Sequence, residues 1–367
     1  MSEKSEPVAN SIDALFQRVE RHWEQQQQAP TSALLPHGQE PNQPDQQRIK
    51  LPRKIRSIQD KIIDAAVQIM ENPETPPQEK AFLTRQLVLV TLPHSNPGDV
   101  PIWTRKNGNV ALSIRPGWDR KKNKAIGYPY GILPRLLLFW INTEVLRNKS
   151  RRIELGNSLA SFMHELGLSP TGGRWGTIPR LRAQMERLFR STISFDQDLN
   201  IDGHSGSRWI DMQVAPKGEL WWDHREPEKP MLFGSWIELG EDFYNAIIES
   251  PVPVDMRALR ALSKSPMALD LYSWMTWRAF TVSKKGEKHF VPWTGLAQQL
   301  GSDYDRIRDF RTKFMTALRK VMVVYPDLRV EKIAGGINIL PSSAPSVRHR
   351  PKKLKALPPP ANPNTPA

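Results

Sequence analysis

The chain has 367 residues, 52 lysines and arginines against 38 aspartates and glutamates, a formal net charge of +14 and no cysteine. The missing cysteines exclude disulfides, thiolate-bound zinc, iron–sulfur clusters and thiol nucleophiles, and they predict a reducing, cytoplasmic setting. At about 150 residues per domain the length predicts two folded domains plus tails, and the cationic excess asks for a polyanion: nucleic acid first, a merely solubilising surface as the alternative.

The start of the sequence lacks the basic-then-apolar order of a secretory leader, so none is expected. The longest apolar run, 132–141, contains Pro134 and Arg135 and falls far short of the roughly 20 residues that span a bilayer, so no membrane partner is expected. Residues 1–47, rich in Gln, Pro and Ser, read as a disordered arm with one short amphipathic helix at 11–23. There Ile12, Leu15, Phe16, Val19 and Trp23 share a face that Ser11 can cap. Docking on a partner and weak packing on the same chain are both open for that face.

Between the tails the same order of elements is written twice. An apolar helix from Pro134 leads to a short strand, RRIEL, a helix, NSLASFMHELGL, a Gly-containing turn and a basic helix, TIPRLRAQMERLFR. From Ser265, the expected N-cap, with Pro266 at the first helical position, a second apolar helix leads to the strand KHFVPW, the helix TGLAQQLG and the basic stretch SDYDRIRDFRTKFMTALRKV. Pro134 and Pro266 are 132 residues apart, and Gly167 and Gly301 are 134 apart, so one supersecondary unit is duplicated. Helix, strand, short helix, turn, longer helix and hairpin is the order of a winged helix. The predicted fold class is therefore α+β: two tandem winged-helix domains, each a helix-turn-helix plus a β-hairpin wing, at 48–228 and 229–342, with disordered N-terminal and C-terminal tails. In the first copy the wing is expected to pair TISFD with RWIDMQV. In the second, LRVEKI is expected to pair with INIL across Ala334, Gly335 and Gly336, and Gly301 is expected to be a left-handed helix cap. Residues 343–367 read as a disordered, Pro-rich tail whose Arg348, Arg350, Lys352, Lys353 and Lys355 form a mobile basic patch.

The two basic helices carry the candidate chemistry. In the second, Ile307, Phe310, Phe314, Ala317, Leu318 and Val321 recur at helical spacing and are expected to face a core, with Ser302 and Asp305 as a capping box. Opposite stand Arg308, Thr312, Lys313 and Arg319, with Arg306 and Arg311 on the borders. A solvated surface helix reads the same way, and the macrodipole alone favours cations toward its C-terminus. In the first, Ile178, Leu181, Met185, Leu188 and Phe189 face inward, Thr177 is the expected cap, and Arg180, Arg182, Arg187 and Arg190 point out, with Gln184 nearby. Four arginines beside a single carboxylate, Glu186, suit phosphate and guanine better than a salt-bridge network. The loop TGGRWG adds Arg174. Arg308, Thr312 and Lys313, with Arg180, Arg182 and Arg187, are assigned to base edges or adjacent phosphates, and Lys332 of the second wing to backbone or minor groove.

The stretches 127–147, 166–189 and 251–278 together resemble the RepA-type plasmid replication initiators of bacteria. That resemblance implies a protein that binds repeated double-stranded sites at a plasmid origin, helps open the adjacent duplex and recruits host replication proteins such as the replicative helicase or the host initiator. It also implies homodimerisation through the first domain, the monomer acting at the origin and the dimer repressing its own gene, a form of plasmid copy control. The alternative is a plasmid-borne transcriptional repressor or partition-site binder on the same fold.

Enzyme readings find little support. The eight histidines are solitary, so no metal-binding pair serves a nickase, and the Lys-containing phosphate loop of nucleotide hydrolases is missing. GHSGS at 203–207 lacks the pattern of a nucleophile elbow. No catalytic residue, metal or cofactor is expected. Trp140, Trp274 and Trp277 are expected in the core, which leaves Trp118, in RPGWDRKKNK, as the one exposed tryptophan able to stack on a base.

Overall fold

The computed structural model describes residues 53–348 apart from 157, 202–203, 222–233, 302–303, 305 and 343. The predicted helix at 11–23, the cap residues Ser302 and Asp305 and the tail beyond Arg348 lie outside the described residues.

The chain runs through α1 (Arg53–Glu71), β1 (Lys80–Thr84), α2 (Arg85–Leu89), β2 (Trp103–Asn107), β3 (Val110–Arg115), β4 (Trp118–Asp119), β5 (Lys124–Ala125) and α3 (Ile132–Asn148). Next come β6 (Arg152–Glu154), α4 (Leu159–Glu165), α5 (Thr177–Phe189), the long hairpin β7 (Thr192–Ile201) and β8 (His204–Gln213), then β9 (Lys217–Glu219) and β10 (Trp236–Glu238). The last part is α6 (Glu241–Glu249), β11 (Pro251–Asp255), α7 (Met256–Leu262), α8 (Pro266–Lys285), β12 (His289–Pro292), α9 (Trp293–Leu300), α10 (Ile307–Val324), β13 (Val330–Ile333) and β14 (Gly336–Ile339). The class is mixed α+β.

Helices α3 and α8 are apolar almost all the way round, and such helices must be buried. Leu137, Ile141 and Val145 of the one, and Leu269, Leu271 and Trp274 of the other, are fully enclosed. Trp140 is buried at the margin of that core, as the sequence suggested, whereas Trp277, expected in the core, only packs against it half-covered. Ser265 caps α8, its hydroxyl accepting from the Ala268 amide at 3.2 Å.

The duplication is visible in the sheets. One three-stranded sheet has the order β6-β10-β9, the other β12-β14-β13, so in each copy the strand after the apolar helix pairs with the last strand, which pairs with the one before it. This corrects the expected first wing. Thr192–Ile201 and His204–Gln213 do pair with each other, but as the outer half of a separate sheet, β2-β3-β7-β8. The strands equivalent to the second hairpin are β9 and β10, and β7–β8 is an insertion between them and α5. Alternation of apolar residues identified a hairpin correctly and could not say which sheet it joins.

A further pair of equivalents joins the copies. Strand β1 leads into α2 as β11 leads into α7, and the two strands pair antiparallel with Phe82 opposite Pro253, Thr84 opposite Pro251 and Lys80 opposite Asp255. Thr84 and Asp255 are the N-caps of the helices that follow, so Phe82 and Pro253 are equivalents facing each other across a local two-fold. Pro251 and Pro253 are tolerated because β11 has a neighbour on one side only, and residues two apart leave their missing N–H groups on one edge.

Buried ions reinforce this junction. Arg135 of α3 donates from Nε to Asp270 Oδ1 of α8 and from Nη2 to Oδ2, both at 2.7 Å, and gives its remaining bonds to the carbonyls of Leu92, Pro93 and Gly131. His94 Nε2 donates to Asp270 Oδ2 at 2.8 Å. Asp255 accepts from Arg257 Nη2 at 2.6 Å, and Arg257 Nη1 reaches the carbonyls of Gln68 and Asn72 at the end of α1. A buried charge is tolerable only when paired and hydrogen-bonded, as these are.

Several local expectations are revised. Gly301 has φ −49° and is not left-handed; a Cβ there would meet the Ala297 carbonyl oxygen at 1.9 Å, so the glycine is needed for space. Gly335, at φ +82°, does supply the positive φ of the second hairpin turn. The cap of α5 is Gly176, and Thr177 instead donates its hydroxyl to the Ser169 carbonyl at 2.6 Å. Helix α10 starts at Ile307, which is exposed rather than in the core. The tail from Pro341 is docked as far as Arg348: Tyr325 Oη donates to the Ala344 carbonyl at 3.1 Å, Ser346 shares a hydrogen bond with Tyr272 Oη, and Val347 is buried. Arg348 pairs with Asp327, so it is not part of a mobile patch. Composition registers the missing periodicity of this segment but not the polar groups waiting for it on α8 and after α10.

Candidate nucleic-acid interface

Helix α5 buries Ile178, Leu181, Met185, Leu188 and Phe189, and this orients its other face outward. Arg180 and Arg182 stand exposed in its first half. The loop leading in is shaped by Thr171 and Thr177, whose hydroxyls lie 3.0 Å apart while the Thr171 amide donates to Thr177 Oγ1 at 2.9 Å. At its tip the Arg174 guanidinium lies 5.2 Å from the centre of the Trp175 ring, which is 83% exposed. An arginine stacked on an aromatic face is pre-organised for a planar, charged partner.

The C-terminal half of α5 is engaged differently. Arg187 donates to the Tyr128 carbonyl at 3.4 Å and lies over the Tyr130 ring at 5.3 Å. Arg190 donates to the Trp118 carbonyl at 2.8 Å. Gln184 is buried, its Oε1 accepting from the Tyr130 amide at 2.9 Å. Arg187 and Arg190 thus hold the 117–130 segment against the helix, Arg190 remaining exposed like Arg174, Arg180 and Arg182. Helical spacing put these cations outside the apolar stripe and could not show that a neighbouring loop covers part of the helix surface.

In α10, Phe310 packs on Phe314, whose ring meets Trp293 of α9 edge-on at 5.6 Å. That contact turns Arg306, Arg308, Asp309, Arg311, Thr312 and Lys313 to the surface. Thr312 donates its hydroxyl to the Arg308 carbonyl at 3.1 Å, which fixes the rotamer and leaves oxygen lone pairs outward. Arg311 lies over the Trp293 ring at 5.1 Å. Arg319 is half-buried, further along the helix. Burial lowers the pKa of Lys320, with Lys313 adding like-charge repulsion. Lys332 is exposed on β13 beside Ile333, near the Gly335 turn. Lys284 and Lys285 in the last turn of α8, and Lys288 in the connection to β12, are further exposed cations of the second copy. A reading restricted to the second helices missed them, although the KKGEK run was the available signal.

The sequence reading attached no partner to His94, and the structure gives it a buried one. Burial lowers its pKa, partly countered by the Asp270 hydrogen bond. Among the described residues no group of three His, Asp or Glu side chains could hold a metal ion, and no helix is long and apolar enough to cross a membrane.

Residues 128–294 match the sequence model of the family described as plasmid encoded RepA protein. The match runs from Tyr128, which touches Arg187, to Thr294 at the start of α9; it covers α5 and stops short of α10. No curated protein and no solved structure gives a significant match.

Proposed function

We propose, for a chain whose residues 128–294 match the plasmid encoded RepA family, that its two copies are winged helices which together read double-stranded DNA at repeated origin sites. The observation that supports this most is the shared sheet order, β6-β10-β9 and β12-β14-β13, around two second helices with solvent-facing cations. A winged helix lays its second helix in the major groove and its hairpin on the flanking backbone. In this reading Arg308, Thr312 and Lys313, with Arg180 and Arg182, meet base edges or neighbouring phosphates. Arg174, Arg306, Arg319 and Lys332 meet phosphates, and Arg187 and Arg190 position the segment beside α5.

The protein acts in the cytoplasm without catalysis or cofactor, opening the duplex next to its sites and bringing in the host helicase, with the first copy also serving a homodimer. The test is footprinting and permanganate probing of the purified protein on DNA flanking its own gene. Protected repeats with reactive thymines beside them are expected. Protection without opening favours a repressor or partition-site binder. Nicking of supercoiled plasmid in divalent metal refutes the non-enzymatic reading.

A further inference from the structure

The hairpin β4–β5 has no part in the proposed duplex interface. Its turn is built rather than loose: Asp119 Oδ1 accepts from the amides of Lys121 and Lys122 at 2.9 and 3.2 Å, and Asn123 closes it in the left-handed region at φ +50°. These amides and the Lys122 ammonium hold the Asp119 carboxyl below its ordinary pKa, so one negative charge stays within the turn. Around it Arg120, Lys121, Lys122 and Lys124 are all exposed. Both ends are clipped to α5. Gly117 lies against Arg190, where a Cβ would meet the carbonyl oxygen at 2.5 Å, and Gly127 lies beside Arg187, where a Cβ would meet the guanidinium at 3.4 Å. Between the clips Trp118 is 52% exposed, held by the Arg190 bond to its carbonyl.

Phosphate contact alone would need the four cations and no indole in water. A tryptophan face beside cations is instead the arrangement that binds unpaired bases, since stacking requires a base swung out of the duplex. We infer that the β4–β5 hairpin is a contact for single-stranded DNA, Trp118 stacking on a base while Arg120, Lys121, Lys122 and Lys124 hold its phosphates. The inference rests on the proposed origin reading and supplies what that reading lacks, a place beside α5 for one strand of the opened duplex.

The experiment uses the full chain and two labelled probes followed by fluorescence anisotropy: a 20-nucleotide oligothymidylate and a duplex carrying the footprinted repeat. Trp118→Ala is expected to weaken the oligothymidylate about tenfold, within the range for removal of one base stack. Trp118→Phe should retain most of the affinity, and joint replacement of Lys121 and Lys122 by Ala should flatten its salt dependence. Duplex affinity should change less than about twofold in each variant, with thermal unfolding as the check on folding. Unchanged oligothymidylate binding by Trp118→Ala overturns the inference, as does an equal loss on both probes, which would make the hairpin a duplex contact. Wild-type protein that binds oligothymidylate but no duplex repeat overturns the proposed function while leaving the hairpin contact standing.

Discussion

Asp270→Asn removes one charge from the junction between α3 and α8 while preserving the side chain's size. In the native protein the carboxylate receives two bonds of 2.7 Å from Arg135 and one of 2.8 Å from His94. Arg135 is only 4% exposed, so in the variant its charge remains buried against a neutral amide. Breaking a buried pair from one side costs about 3–5 kcal/mol. Because three backbone carbonyls still accept from Arg135, the lower end, about 3 kcal/mol, is expected. Urea unfolding at pH 7.5 should show the midpoint falling with an unchanged slope. A loss below about 1 kcal/mol would refute the view that this pair clamps the two copies.

The same cluster sets an acid dependence. Burial opposes ionisation of Asp270, but the Arg135 charge and the hydrogen bonds from His94 and Arg135 outweigh it and hold its pKa below the ordinary 3.8. Its contribution is therefore complete above about pH 4 and lost as the pH falls through the folded value. The pKa of His94 is lowered from 6.5, chiefly by burial. Below that pH the unfolded chain takes up a proton that the folded chain refuses, so stability falls from about pH 6.5 down to the folded value and then levels. His94→Gln should remove this upper window and leave the lower one. Parallel stability curves for wild type and variant between pH 7.5 and 5 would refute it.

Joint replacement of Arg308 and Lys313 by Ala should cost about 1–3 kcal/mol of duplex affinity for each base edge no longer read, or reduce the salt slope by about one for each phosphate no longer neutralised; unchanged affinity and slope would remove α10 from the interface. Gly301→Ala should destabilise by about 1–3 kcal/mol and weaken duplex binding, because its Cβ would sit 1.9 Å from the Ala297 carbonyl oxygen just ahead of α10; wild-type stability in urea would show that the backbone there yields freely. Val347→Asp should undock the C-terminal segment and lower the thermal midpoint, since a carboxylate would replace a buried apolar group; an unchanged midpoint would show that the segment adds nothing.

Much of this was legible in order and spacing. The apolar helices at 132–148 and 266–285 could only be central, and the six-element order that repeats from Pro134 at Pro266 pointed to a duplicated unit. The outward arginines of α5 and α10 follow from the inward set at helical spacing. The Arg135–Asp270 clamp was not legible, because its partners are 135 residues apart and each looks alone like an outlier in an apolar run.

Periodicity, charge and glycine placement are local properties, and through them the sequence by itself determined the helices, the duplicated order and the sign of the exposed faces. Only the tertiary structure decided which sheet each strand joins, because backbone hydrogen bonding is blind to sequence while register and neighbour are chosen by the packing of whole faces. It likewise decided which cations serve the fold. Arg180, Arg182, Arg187 and Arg190 all lie outside the apolar stripe of α5, yet the 117–130 segment lies against its last turns and engages only Arg187 and Arg190 of these four.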